Sequence, residues 1–493
     1  MESVTLLMDG FQTSLQWYNL LFVFIGVLIG TIVGTLPGIG QVVSPLFQVR
    51  HLTRCHQNKQ RVAIILLAGV YYGAMYGSST TSILINTPGD SQSVVTTFDG
   101  YPLAKQGKAG IALVITAIAS FGGSIISLIG LILLVQPLTA LAISFGPAEY
   151  FSLMLLGLMA VVGLSSASIS KSFLMTIFGL AVATVGLDAI SGTNRMTYDF
   201  AELYQGFEFL TIAVGLFAFG EVFRMILEYR EGQSFKGKIT SIIPSKQDLK
   251  TSSPAIARGS IIGFIVGVLP GAGSTIASFF AYSVEKKTAK NKDKLGKGAL
   301  EGISSPEAAN SASTGGGMIP LLALGIPGSG TLAVLLGALV MYNVQPGPML
   351  FEENPDVAWG LIASMFIGNV MLLILNVPLI RVFAKIVDTP AKYLLPLIIA
   401  FGIFGVYAVQ LSMFNLLLLL FCGLAGLLLT RNGFPLAPFV LGLILGPMIE
   451  NNLRRALTIS DGSPMIFFYQ PSIRRPFING CSTTIISIIK KTN

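Results

Sequence analysis

Apolar runs long enough to cross a bilayer recur along the whole chain, separated by short polar stretches. A spanning helix needs ~20 apolar residues. Leu15–Leu36, Ile111–Val135, Phe207–Leu227 and Trp359–Ile380 approach or reach that length. Charged residues make up 11% of the 493, less than half the ~25% of soluble domains and too few to cover a soluble surface of this size. The fold class expected is an all-α polytopic membrane protein with about 10–12 spans.

The same arithmetic excludes other functions. The formal net charge of +8 is placed by basic cytoplasmic loops of a membrane protein, so no nucleic acid is implied. Cys55, Cys422 and Cys481 are scattered and odd in number, and His51 and His56 are the sole histidines. That gives neither a disulfide framework nor a metal cluster. The first ten residues carry Glu2 and Asp9 without Lys or Arg, unlike the basic start of a signal peptide. The longest polar stretches, Tyr229–Pro254 and Glu285–Thr314, are too short to fold alone. Gly232–Ile239 imitates a phosphate loop but ends in Ile where Ser or Thr should hold magnesium. It reads as a solvated basic loop, so transport by this chain would draw on an ion gradient or on an ATPase elsewhere.

An internal repeat organises the chain. Gly26-Val-Leu-Ile-Gly30-Thr-Ile-Val-Gly34-Thr-Leu-Pro37-Gly38-Ile-Gly40 returns 233 residues later as Gly259-Ser-Ile-Ile-Gly263-Phe-Ile-Val-Gly267-Val-Leu-Pro270-Gly271-Ala-Gly273. Ile85-Asn86-Thr87-Pro88-Gly89 resembles Leu324-Gly325-Ile326-Pro327-Gly328, and Pro147-Ala-Glu-Tyr150 resembles Pro390-Ala-Lys-Tyr393. The expected division is a first repeat over 10–230, a basic cytoplasmic linker over 231–254, a second repeat over 255–455 and an atypical tail over 456–493.

Charge then orients the halves. Arg224–Arg258 and Lys286–Lys297 are rich in Lys and Arg, so both loops belong inside. Gly259–Leu269 between them is about 16 Å of helix, half a hydrocarbon core. It reads as one arm of a re-entrant hairpin tipped by Pro270-Gly271. The acidic loop Gln345–Val357 belongs outside, and the span joining the two sides is broken at Ile326-Pro327-Gly328. In the first half, a broken span over Val62–Tyr101 and four further crossings follow the first hairpin. An odd number of crossings makes the repeats inverted, an arrangement typical of secondary transporters with a midplane site. Two features resist this layout: the basic loop Arg50–Arg61 falls outside, and Arg454 and Arg455 follow an outward crossing.

Breaks at Pro and Gly free backbone groups that hydrocarbon cannot satisfy, so they must face protein or a wet cavity. Helix N-termini at such breaks attract anions, and unwound carbonyls can hold a cation. The candidate substrate site takes Pro37, Gly38 and Gly40 from the first tip, then Ser78, Ser79, Thr80, Asn86, Thr87, Pro88 and Gly89 from the first broken span. From the second half it takes Pro270, Gly271, Gly273, Ser274, Thr275, Ser311, Ser313, Thr314, Gly325, Pro327 and Gly328. The bland alternative is that small residues mediate tight helix packing. Asp90, Glu301 and Glu307 sit at segment ends and read as caps or solvated residues, and Tyr71, Tyr72 and Tyr76 as packing. No catalytic constellation, cofactor or metal site is evident. The coupling ion is Na+ or H+, with Na+ favoured because no acid lies in either hairpin.

These motifs resemble the large membrane (permease) subunit of the tripartite tricarboxylate transporter family. The resemblance rests on Gly34–Gly40, Tyr71-Tyr-Gly-Ala-Met-Tyr-Gly77, Ser82–Gly89, Asp99-Gly-Tyr-Pro-Leu-Ala-Lys105, Gly267–Gly273, Pro306-Glu-Ala-Ala-Asn310 and Gly325–Gly328. It covers residues 10–45 and 62–468. It implies a symporter importing citrate-like di- or tricarboxylates across a bacterial inner membrane, and not an enzyme. It also implies two partners, a small four-helix membrane subunit and a periplasmic solute-binding protein. Segments 45–61 and 470–493 depart from the family pattern. The rival readings are an anion channel and a member whose transport those departures impair.

Overall fold

A computed structural model describes residues 2–35, 59–86, 90, 92–164, 168–188, 191–228, 242–269, 273–342, 344–387, 395–396, 399–400, 402–404, 406–407 and 411–469. The first half contains α1 (Glu2–Ser14), α2 (Trp17–Gly34), α3 (Lys59–Ile85), α4 (Val94–Lys105), α5 (Ala109–Ile143), α6 (Pro147–Leu164) and α7 (Ile169–Ala183). A minimal antiparallel ladder of Gly186–Leu187 with Asn194–Arg195 follows, then α8 (Phe209–Ala213) and α9 (Gly220–Glu228). The second half contains α10 (Lys246–Val268), α11 (Gly273–Thr288), α12 (Glu301–Leu324), α13 (Gly330–Met341), α14 (Leu350–Glu353), α15 (Pro355–Val387), α16 (Met413–Arg431) and α17 (Leu436–Ile459).

Seven of the described helices are long and apolar enough to cross a membrane, and three shorter apolar helices accompany them. The chain is therefore a multi-pass membrane protein whose described residues are mostly helical, with almost no strand. Two apolar runs divide in the structure. Leu15–Leu36 begins as a helix only at Trp17, after α1 has ended. Phe207–Leu227 carries a π-helical stretch, Val214–Phe219, between α8 and α9.

The repeated glycines are packing surfaces. A Cβ on Gly26, Gly30 or Gly34 would stand 2.5, 2.2 or 2.4 Å from the carbonyl oxygens of Leu66, Val70 and Ala74. A Cβ on Gly259, Gly263 or Gly267 would stand 2.1, 2.2 or 2.5 Å from those of Ser305, Ala309 and Ser313. No side chain fits such gaps, so glycine lets the backbones touch. The order of contacts also fixes direction. α2 runs parallel to α3, and α10 runs parallel to α12.

Each half leans on the other. α5 packs on the second pair, with Gly123 against the Ala308 carbonyl and Gly130 against the Phe264 ring. α15 packs on the first pair, with Gly368 facing Val23 and Val27 of α2. Farther out, Gly179 of α7 meets the Phe439 carbonyl of α17, and Gly426 of α16 meets that of Leu216 in the π-helical stretch.

α10 starts at Lys246, inside the stretch expected to be linker. Its capping box supplies the reason: the Ser245 hydroxyl accepts from the Asp248 N–H, and Asp248 accepts from the Ser245 N–H. Arg258 then pairs with Glu285 near the end of α11 at 2.5 Å. α11 thus returns to the side from which α10 entered. Only Gly259–Val268 lies beyond the pair, about 15 Å of helix.

Ion pairs account for both loops that resist the charge rule. Arg61 binds Asp356 at 2.9 Å, so the start of α3 shares a face with the acidic loop before α15. Arg454 binds Asp188 at 3.0 Å, and Arg195 binds Glu450 at 2.9 Å. The end of α17 therefore shares a face with the loop after α7. The phosphate-loop imitation, His51, His56, Cys55 and Cys481 lie outside the described residues.

Candidate functional site

α3 and α12 form the centre. Every described residue of α12 from Glu301 to Ala323 is buried, as is the whole apolar stretch of α3. Small side chains permit this. Ser, Thr, Ala and Gly make up most of α12 and of the Gly73–Ser82 part of α3, where bulkier residues would hold neighbours apart.

The two helices cross antiparallel. Tyr71 lies beside Thr314, and Ser79 lies beside Glu307. Position 71 corresponds to 310 across the repeat offset of 239 residues, so the crossing relates equivalent positions nearly symmetrically. The glycine contacts place the ends of α2 and α10 at the same level. Gly34 meets Ala74, and Gly267 meets Ser313, each within about one turn of the Tyr71–Thr314 contact. Two helix ends thus converge at the middle of a wholly buried, weakly apolar crossing.

The expected site residues fall in three groups. Pro37, Gly38, Gly40, Thr87, Pro88, Gly89, Pro270 and Gly271 lie outside the described residues. At the two breaks, Asn86 ends α3 with φ +56° and Gly325 caps α12 with φ +72°. Equivalent positions thus share the left-handed backbone that Gly and Asn adopt most readily. Gly325 donates to Leu321 and Ile326 donates to Pro320, closing the helix end. Pro327 and Gly328 are buried behind it. Each break follows a helix already long enough to cross, 27 residues for α3 and 24 for α12.

The third group lines the crossing. Ser78, Ser79, Thr80, Ser311, Ser313 and Thr314 are all buried. Three hydroxyls are spent on the preceding turn: Ser78 donates to Met75, and Ser313 and Thr314 donate to Asn310. Their lone pairs remain as acceptors. Gly273, with φ +61°, opens α11, and half-buried Ser274 and Thr275 stand in its first turn. Tyr71, Tyr72 and Tyr76 belong to the main apolar cluster, as the packing reading requires.

The acids divide. Asp90 caps, accepting from the Ser93 N–H at 3.0 Å and from Gln92 at 2.7 Å. Glu301 accepts from Asn291 at 2.8 Å. Glu307 overturns the reading of a cap or solvated residue. It lies well inside α12 and is 1% exposed. Thr96 of α4 donates to its Oε1, and Ser79 and Asn310 flank it. Among the described residues, its Oε2, the Ser79 hydroxyl and both amide atoms of Asn310 complete no well-formed hydrogen bond. The signal available in sequence was Pro306-Glu-Ala-Ala-Asn310 itself, which sets a carboxylate and an amide one turn apart on one helix face.

Asp99 also escaped the sequence reading. Fully buried, it accepts from the N–H groups of Gly296, Gly298 and Ala299, each at 2.8 Å, and from the Tyr282 hydroxyl at 2.9 Å. It clamps α4 to the segment before α12.

Comparisons with known proteins place the chain in a family. A family model described as "Tripartite tricarboxylate transporter TctA family" matches residues 20–441. An Agrobacterium vitis protein, "Uncharacterized 52.8 kDa protein in TAR-I ttuC' 3'region", is 39% identical over 489 residues, 99% of this chain and 97% of that protein. That alignment runs through both stretches that depart from the family pattern. A second from the same organism, "Uncharacterized protein in TAR-II ttuC' 3'region", is 43% identical over 209 residues, 42% of this chain and 86% of that protein. No solved structure matches.

Proposed function

The chain belongs to the tripartite tricarboxylate transporter TctA family, and from that premise we propose that it is the permease subunit of a binding-protein-dependent secondary transporter. Its substrates are di- or tricarboxylates of the citrate type, imported across a bacterial inner membrane by symport with Na+ or H+. Its partners are a small four-helix membrane subunit and a periplasmic solute-binding protein. The observation that carries the reading is the family match over residues 20–441.

The geometry supports a midplane anion site. α11 presents its first-turn N–H groups, with Ser274 and Thr275, near the level where α10 ends. Such a terminus favours a carboxylate, and the hydroxyls of Ser311, Ser313 and Thr314 add neutral partners. Inverted repeats are part of this proposal. Their support is that α3 and α12, equivalent by sequence, cross antiparallel. Repeats related about the membrane normal would run parallel.

Uptake into vesicles tests the function. The chain is reconstituted with both partners, and candidate acids are supplied under separately imposed Na+ and H+ gradients. The expected result is saturable uptake of one or a few carboxylates that requires the binding protein. Flux that does not saturate and needs no binding protein would make the chain a channel. Gly271→Val and Pro88→Ala should each lower uptake at least tenfold; unchanged uptake would move the site away from the breaks.

A further inference from the structure

A carboxylate inside a membrane helix is expensive unless something neutralises or pairs it. Glu307 is in that position. It is buried among α3, α4 and α12, and among the described residues no Lys, Arg or His pairs with it. Thr96 donates to one of its oxygens, and among the described residues the other has no well-formed hydrogen bond. Around it stand Asn310 and Ser79, which approach its carboxylate without completing a well-formed hydrogen bond. Buried polar groups normally find partners. Several failing to do so on one spot points to a ligand that engages oxygen atoms.

The chemistry of the spot selects the ligand. Carboxylate, amide carbonyl and hydroxyl oxygens are hard donors, which suit hard cations. A carboxylate substrate would be repelled by Glu307. A divalent ion generally takes more than one carboxylate, and the other acid nearby, Asp90, already serves Ser93 and Gln92. We propose that Glu307, Asn310, Ser79 and Thr96 form a binding site for a single Na+ ion. That this ion is the coupling ion rests on the symport reading above; that the site binds Na+ does not.

Position gives the site a role. Glu307 lies seven residues before Thr314 on α12, about 10 Å along the axis, so cation and anion sites would share one helix. The ligands come from both halves, Ser79 and Thr96 from the first and Glu307 and Asn310 from the second. An ion held there ties the α3–α4 break to α12. It neutralises the otherwise unpaired charge.

The test uses the full chain in detergent without any carboxylate. Its thermal midpoint is followed as NaCl replaces choline chloride at constant ionic strength. Wild type should gain stability saturably with Na+, since a ligand that binds only the folded state raises the midpoint with its concentration. Glu307→Gln should abolish the dependence, and Asn310→Ala and Ser79→Ala should each raise the half-saturating Na+ concentration at least tenfold. If Glu307→Gln does not fold, the Asn310 and Ser79 variants decide. Unchanged Na+ dependence in these variants, or none in wild type, overturns the site. Because no substrate is present, failure here is distinct from failure of the uptake assay.

Discussion

At the scale of single residues, the tightest constraint is the absence of a methyl group. A Cβ on Gly263 would stand 2.2 Å from the Ala309 carbonyl oxygen, with backbone on both sides and nothing flexible to yield. Gly263→Ala should cost about 1–3 kcal/mol by overpacking, read as a lowered thermal midpoint. Gly163→Ala is the control. Nothing lies within 4 Å of its added Cβ, so the change should be neutral or gain up to about 1 kcal/mol from helix propensity. The glycines were legible as a repeat, and their role as packing faces was the bland alternative for the same residues. The depth of Glu307 was not legible. Its helix is too rich in small polar residues to read as a span, and its burial comes from α3, α4 and α10, which the local sequence does not show.

At the scale of elements, the Asp99 clamp is the clearest lever. It answers three backbone N–H groups and a tyrosine hydroxyl with one carboxylate. Asp99→Ala leaves the Ala299 N–H and the Tyr282 hydroxyl buried without a partner, at about 1–3 kcal/mol for each one stranded. The expected result is fast proteolysis and amide exchange between Lys290 and Leu300. Tyr282→Phe removes one bond and should cost about 1 kcal/mol. Element boundaries were legible only in part. Apolar runs located most of the helices, but charge hid the first half of α10, although the Ser245 and Asp248 signature was available. The π-helical stretch Val214–Phe219 had no local signal. Gly215 and Gly220 bring α16 against it, and that contact is tertiary.

At the scale of the molecule, the ion pairs predict sidedness. Arg61 with Asp356 sets the starts of α3 and α15 on one face, and Arg454 with Asp188 sets the loop after α7 beside the end of α17; the proposed topology puts both pairs on the same side. Single cysteines at Tyr198 and Glu353, introduced after replacing Cys55, Cys422 and Cys481, should react with an impermeant thiol reagent from the same side of oriented vesicles. Cysteines at Lys108 and Lys292 should react from the other. Reaction of all four from one side would end the proposed topology. The alternating charge of loops is what suggests this layout in the sequence, whereas its two apparent violations needed partners distant in sequence. One consequence of the crossed packing, α5 against α10 and α12 and α15 against α2 and α3, concerns inheritance of structure. Neither half possesses a complete interior of its own, so a gene fragment encoding one should yield insoluble or degraded product. Both fragments made together, even with the backbone severed near residue 235, should find each other and purify as a single particle.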